Sequence, residues 1–280
     1  MPQFNKVRLG LVAEQLIEVD STNAELVRRL AERPLPPAGF LLSTQRQSKG
    51  RGQTGKQWHS EAGANWTASL LLYPTHLAAD QAFRLSQVCA LAVRDVVVAM
   101  LANGSSSTNR LSADSVDQNL RGTIGPAEVQ IKWPNDILVD SRKIAGILIQ
   151  TGIQGRMLSW AILGIGLNVN QRQFPSGLAR VPTSLALETG KTVGLEDLQS
   201  QLLARLGYYY NQTASAHFTA LDGAYQSQLF QRDQQSLYRD LQSGETFEGI
   251  LRGTDQQGRL LLDGPEGRLT TYDPQSIAFL

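Results

Sequence analysis

Residues 129–153 read VQIKWPNDILVDSRKIAGILIQTGI, a strand, a tight turn and a strand. Pro134-Asn135-Asp136 carries turn chemistry, because proline presets φ while Asn and Asp bond their own backbone. Asp140-Ser141-Arg142-Lys143 makes a second turn. Gly146 stands inside an apolar run, where glycine weakens a strand unless a ligand or another backbone must come close. Lys132 and Lys143 could neutralise a phosphate or carboxylate. Asp136 could hold Mg²⁺, which takes one or two carboxylates together with phosphate oxygens. An Asn-Asp turn with exposed lysines accounts for the same residues without a ligand.

Upstream, residues 103–128 are rich in Ser, Asn, Asp and Gly without any period, which predicts a surface insertion. AFRLSQVCALAVRDVVVAMLA reads as a long, largely buried helix, and WTASLLLY and GFLLST read as strands. LIEVDSTNAELVRRLAERPLPP reads as strand, cap, helix and stop. Thr22 with Glu25 fits a capping box, with Ser21 and Asp20 as rival caps. Downstream, LSWAILGIGLNVN is a strand interrupted by Gly164 and Gly166, where a close approach or a plain bulge would serve equally. Helices follow to about residue 232. From about 236 onward, short strands between Gly and Asp turns predict a small β-barrel.

The chain has 280 residues, a formal net charge of +1 and one cysteine, Cys89. No intrachain disulfide can form, and a cysteine-rich zinc site is excluded. His59, His76 and His217 show no metal-ligand spacing, and no Ser-His-Asp or Cys-His pattern stands out, which argues against nucleophilic hydrolysis. The near-neutral charge provides no broad field for nucleic acid, and stacking aromatics are not clustered. No stretch approaches about 18 continuous apolar residues, and the first residues lack the apolar core of a secretory signal, so a cytoplasmic protein with no membrane partner is expected.

Ser48–Trp58, SKGRGQTGKQW, places glycines beside Arg51 and Lys56. Glycine lets backbone N–H groups converge on an anion, and Arg51 offers a planar donor fork. The P-loop spacing is absent. Alone, the loop reads equally as an anion cradle or as a turn with solvated charges.

The order of the motifs carries more than any one of them. Ser-Thr-Asn comes at a helix start, then Gln47-x-x-Gly-Arg-Gly with Trp58, then Gly-Ala-Asn. Lys-Trp-Pro-Asn-Asp, Arg-Lys-x-Ala-Gly-Ile and Gly-x-Gly-x-Asn-Val follow. From about residue 14 to the C-terminus this resembles the biotin–protein ligases, the biotin–[acetyl-CoA-carboxylase] ligase family. The resemblance implies an α/β fold: a mixed β-sheet flanked by helices, a class II synthetase-like catalytic domain over 1–233, and a C-terminal SH3-like barrel over 236–280. It implies formation of biotinyl-5′-AMP from biotin and ATP with release of pyrophosphate. Biotin then passes to one lysine of a biotin carboxyl carrier domain, acetyl-CoA carboxylase's being the expected acceptor.

Carried over by position, Ser21, Thr22, Asn23 and Gln47 are expected on the biotin ring. Arg51, Gly52 and Gln53 are expected on the carboxylate and phosphate side. Lys143 and Arg51 are the implied catalytic cations, with Gly146 beside the ligand. Lys56, Lys132, Trp58 and Asn168, with Arg51, are expected on the nucleotide, and Asp136 on Mg²⁺. Gln53 and Lys56 stand where many relatives carry arginine. Ser21 lies too near the start for an N-terminal DNA-binding domain, so no DNA partner is expected. A monomer and a homodimer are both compatible with the sequence. The rival readings are a lipoate–protein ligase with the same chemistry and a non-catalytic biotin binder. The 48–58 loop is expected to close over the adenylate and exclude water.

Overall fold

The computed structural model describes residues 7–104, 127–214, 218–264 and 267–280. Most of the expected 103–128 insertion, and His217, lie outside the described residues. The chain runs β1 (Ala13–Val19), α1 (Thr22–Leu30), β2 (Phe40–Gln47), β3 (Trp66–Leu72), α2 (Phe83–Gly104), β4 (Val129–Lys132), β5 (Asp136–Val139), β6 (Arg142–Gln154) and β7 (Met157–Leu167). These strands form one sheet in the order β1-β2-β3-β7-β6-β5-β4. β1 pairs parallel to β2 and every other neighbour is antiparallel, which gives the expected mixed sheet.

The opening stretch builds three of these strands. Trp133, Pro134 and Asn135 turn β4 into β5. The Asn135 carbonyl accepts from Ile147 N at 2.9 Å, and its Nδ2 donates to Ile147 O at 3.0 Å, so the turn is tied down on β6. Asp140 and Ser141 turn β5 into β6 with φ of 45° and 67°. Both are left-handed, the condition of the two-residue hairpin turn whose twist suits antiparallel strands.

Alternation gives the sheet two unlike faces. Ala68, Leu70, Leu163, Ile165, Ala145 and Ile147 pack on one side against Leu85, Val88, Ala92 and Val96 of α2. Each such side chain fully buried contributes about 1.5–3 kcal/mol. By length and composition α2 could cross a bilayer, but most of its apolar window is buried here. On the other face, α1 covers only one end. Its Leu26 packs with Phe40, Leu42, Leu71 and Ile162. Beyond the start of α1 this face is open, and there the cavity lies.

α3 (Leu185–Thr189), α4 (Leu195–Gln212) and α5 (Thr219–Gln226) follow. α4 buries Leu198, Leu202, Leu206 and Tyr210, four residues apart on one stripe. Helix ends at Gln226 rather than near 232, and further on Gln231 and Asp233 adopt left-handed φ of 60° and 57°. β8 (Gln235–Asp240), β9 (Thr246–Thr254), β10 (Leu260–Asp263), β11 (Leu269–Tyr272) and β12 (Ile277–Phe279) then form an antiparallel sheet in the order β11-β10-β9-β8-β12. β11 and β12 are its edges, with no pairing between them among the described residues; the small β module expected after about residue 236 is present as this antiparallel sheet.

This smaller sheet packs on the larger part of the molecule through named contacts. Trp133 Nε1 donates to Gly258 O at 2.8 Å. A Cβ on Gly258, whose φ is +84°, would lie 2.2 Å from the Phe83 ring. Gln226 Nε2 donates to Thr254 O at 3.0 Å.

Candidate active site

A single row of register partners crosses five strands. Thr67 faces Gly166, Gly166 faces Gly146, Gly146 faces Asp136, and Asp136 faces Lys132. At about 4.8 Å between strands the row spans about 19 Å. The neighbouring row is Ser69, Gly164 and Leu148. Glycine therefore occupies the centre of the floor, with polar side chains toward its ends. The β6–β7 pairing is unbroken from Ala145 to Gly152. That removes the bulge as an explanation for Gly164 and Gly166 and leaves close approach. A Cβ on Gly166 would lie 2.4 Å from Trp58 Cε2, and one on Gly164 would lie 2.2 Å from Asn23 Oδ1. A Cβ on Gly146 would come within 3.1 Å of the Trp58 ring and 3.3 Å of Lys143 Nζ. The cavity above this floor encloses about 720 Å³.

One end is built by the start of α1 and is neutral. Ser21 is the N-cap, its Oγ accepting from Ala24 N at 3.5 Å. The Thr22–Glu25 capping box does not form. Glu25 instead pairs with Arg28 and Arg29, and Thr22 turns its hydroxyl inward. Thr22 N and Oγ1 both donate to Gln47 Oε1, at 2.8 and 3.2 Å. Ser69 Oγ lies 2.7 Å from Thr22 Oγ1 and 2.6 Å from Asn23 Oδ1. Asn23 Nδ2 donates to Leu148 O and to Gln150 Oε1. Ser21, Thr22, Asn23 and Ser69 are buried, Gln47 and Gln150 half-buried, and the groups hold one another in place. Behind them Asp20 is held down to about 2 by its hydrogen bonds from Arg28.

The other end is cationic. Arg51, Lys56, Lys132, Lys143 and Arg180 border the cavity, and Asp136 is the sole carboxylate among its described lining. Lys143 Nζ lies 2.7 Å from Asp136 Oδ1 and 5.6 Å from the centre of the Trp58 ring. Lys132 forms no ion pair among the described residues; its Nζ sits 4.5 Å over the Phe279 ring of β12. Burial pushes Lys132 down to about 8, against the pull of Asp136 and with the help of Arg180, Lys143 and Lys56. Among the described residues Arg51, Lys56, Lys132 and Arg180 form no ion pair, an arrangement that favours a polyanionic ligand.

The 48–58 loop is a short hairpin. Gly52 N donates to Lys56 O at 2.7 Å, Trp58 N donates to Gly50 O at 3.0 Å, and Gly55 takes the positive φ of 74° at the tip. Arg51 and Lys56 are exposed on the rim, whereas the Trp58 ring reaches inward over the glycines. Asn168 is buried, donating Nδ2 to Thr183 O at 2.9 Å.

Every residue expected to contact biotin, nucleotide or Mg²⁺ lines this cavity. Ser69, Gln150 and Arg180 were not foreseen. Ser69 had a signal, a polar residue alternating with Thr67 on an otherwise apolar strand. Gln150 and Arg180 had none, because only tertiary structure brings them near.

Residues 16–168 match the Biotin/lipoate A/B protein ligase family. The chain belongs to this family. It is 30% identical over 257 residues to the biotin–[acetyl-CoA-carboxylase] ligase of Paracoccus denitrificans, covering 90% of this chain and 95% of that one. It is 28% identical over 276 residues to the bifunctional ligase/repressor BirA of Bacillus subtilis, covering 96% of this chain and 76% of that one. The fold is that of the biotin protein ligase of Aquifex aeolicus in complex with biotin and ATP, with a TM-score of 0.73 at 22% identity over 96% of this chain and 99% of that one.

Proposed function

We propose that the chain is a biotin–[acetyl-CoA-carboxylase] ligase that joins biotin and ATP as biotinyl-5′-AMP and then passes biotin to a lysine of a carboxylase carrier domain. The observation that carries this is the row from Thr67 to Lys132: one floor, neutral and hydrogen-bonding at one end, cationic at the other, bare in between. Biotin has a polar ring, an apolar body and a carboxylate. Its ring suits Ser21, Thr22, Asn23 and Gln47, its chain suits the glycine floor, and its carboxylate then arrives beside Lys143.

In the first step the carboxylate oxygen attacks the α-phosphorus of ATP, the bond to the bridging oxygen breaks, and pyrophosphate leaves. Two anions must meet, so the residues that matter are those that offset the repulsion and the charge growing in the transition state. Lys143 and Arg51 serve there, with Trp58 and Asn168 toward the adenosine and Lys56 and Lys132 toward the phosphates. Asp136 supplies the single carboxylate that Mg²⁺ needs beside phosphate oxygens, and the ion when bound would neutralise phosphate charge. Asp136 also holds Lys143 in position. In the second step a neutral lysine amine of the carrier attacks the acyl carbonyl and AMP leaves. No protein nucleophile is needed, which agrees with the scattered histidines and buried Cys89.

Lipoate is the second reading, because the family description covers both acids. Its dithiolane ring offers no hydrogen-bonding group to Thr22, Asn23 and Gln47, and sites built around polar contacts reject analogues that lack them. The deciding assay supplies ATP, Mg²⁺, a carrier domain and either acid, and reads pyrophosphate release and streptavidin capture. Biotin-dependent release and labelling are expected. Lipoate transfer without biotin transfer would overturn the choice of acid, and no acid-dependent release would favour the non-catalytic binder.

A further inference from the structure

Arg180 is the cation in the cavity that no motif accounts for. It lies on the segment between β7 and α3. This segment is stitched to the catalytic lysine: Lys143 N donates to Val181 O and Thr183 N donates to Lys143 O, both at 2.8 Å. Arg180 is therefore held in fixed relation to the strand that carries Lys143. Its guanidinium is supported on two sides. Nη1 donates to Ser141 O at 3.0 Å, and Cζ sits 5.3 Å from the centre of the Phe230 ring. No carboxylate pairs with it among the described residues, and four of its five N–H donors have no assigned partner.

Position along the row decides what such a group would meet. The neutral end lies at α1, whereas Arg180 is bonded to Ser141 in the β5–β6 turn and acts electrostatically on Lys132. Lys132 terminates the row at the other end, beyond Asp136 and Lys143. If the ring of biotin lies at α1 and its carboxylate reaches Lys143, the α-phosphorus is there too, and the leaving phosphates extend toward Lys132. We propose that Arg180 and Lys132 form the subsite for the departing pyrophosphate, with Arg180 as a phosphate-binding residue contributed by the segment before α3. Gln53 brings no charge to the 48–58 loop, whereas Arg180 adds a guanidinium fork at the Lys132 end. A planar guanidinium can grip two phosphate oxygens at once, which an ammonium cannot.

This inference rests on the ligase reading for its reaction, but its test has a readout that does not. Titration of the whole protein with inorganic pyrophosphate in a calorimeter is expected to show binding in the wild type. It should be weakened about tenfold in Arg180→Gln and partly restored in Arg180→Lys, in line with the loss of one charge-assisted bidentate contact. In turnover, the KM for ATP and the inhibition constant of pyrophosphate are expected to rise by the same factor. The KM for biotin, and transfer from purified biotinyl-5′-AMP, which has no β- or γ-phosphate, are expected to stay unchanged. Equal pyrophosphate binding in wild type and Arg180→Gln, or no binding by the wild type at millimolar concentration, overturns the subsite. So does an equal loss in transfer from biotinyl-5′-AMP, which marks a structural role. Pyrophosphate binding that depends on Arg180, in a protein that releases none from ATP and biotin, upholds the subsite and sinks the ligase reading.

Discussion

The two ends of the cavity solve opposite problems. At the α1 end, buried Thr22, Asn23 and Ser69 and half-buried Gln47 and Gln150 satisfy one another. A ligand there competes with bonds already made, so selectivity is high and the net gain per contact is small, about 1 kcal/mol. At the Lys132 end, cations crowd around a single carboxylate and repel one another. A polyanion there would offset that repulsion. On the proposed reading, the neutral end would choose the acid and the cationic end would drive the chemistry.

Substitutions that break one end alone should separate these roles. Lys143→Ala is expected to have the largest effect, lowering biotin-dependent pyrophosphate release about 10²–10³-fold, as for loss of a group aimed at transition-state charge. The KM for biotin should change far less, and single-turnover adenylation checks both. Gly164→Ala comes next. The new methyl would meet Asn23 Oδ1, which is fixed by its bonds to Ser69, Leu148 and Gln150. A displacement costing about 2 kcal/mol should raise the KM for biotin about 30-fold while leaving ATP binding intact. Thr22→Val keeps the shape and removes the hydroxyl. About tenfold weaker biotin binding by calorimetry is expected, with unchanged pyrophosphate binding.

The smallest effect sharpens the comparison through pH. Burial lowers Lys132 from 10.5 to about 8. Between those values the unfolded chain holds the proton more tightly, so this group makes stability rise with pH across the window, and its cost is full below about 8. Lys132→Met should therefore melt a few degrees above the wild type at pH 7, and that advantage should fade as pH climbs toward 10.5. Wild-type pyrophosphate binding should weaken as pH passes 8. A Lys132→Met variant that melts lower than the wild type at pH 7 would contradict the buried-charge account.

Much of this was legible because turns and strand glycines announce themselves locally. Pro134-Asn135-Asp136 and Asp140-Ser141 fixed the β4–β5–β6 meander, and Gly146, Gly164 and Gly166 marked the floor. What remained illegible depends on register and on loops. The sequence shows three glycines but not that Gly146 and Gly166 stand side by side between Thr67 and Asp136. Thr22 and Ser21 are both good caps by composition. Only the position of Gln47 reveals that Thr22 is needed elsewhere, leaving Ser21 to close the helix. Arg180 sits in a segment with no period, and only the bonds of Val181 and Thr183 to Lys143 bring it to the cavity.

The wall formed by β12 bears on how the two sheets depend on each other. The cavity takes its neutral end from α1 and the ring under Lys132 from Phe279. Residues far apart along the chain therefore meet at one site. Loosening β12 from β8 would remove the aromatic neighbour of Lys132 while leaving the bonds of Thr22 to Gln47 in place. The smaller sheet thereby acts as a prop for the cationic end alone.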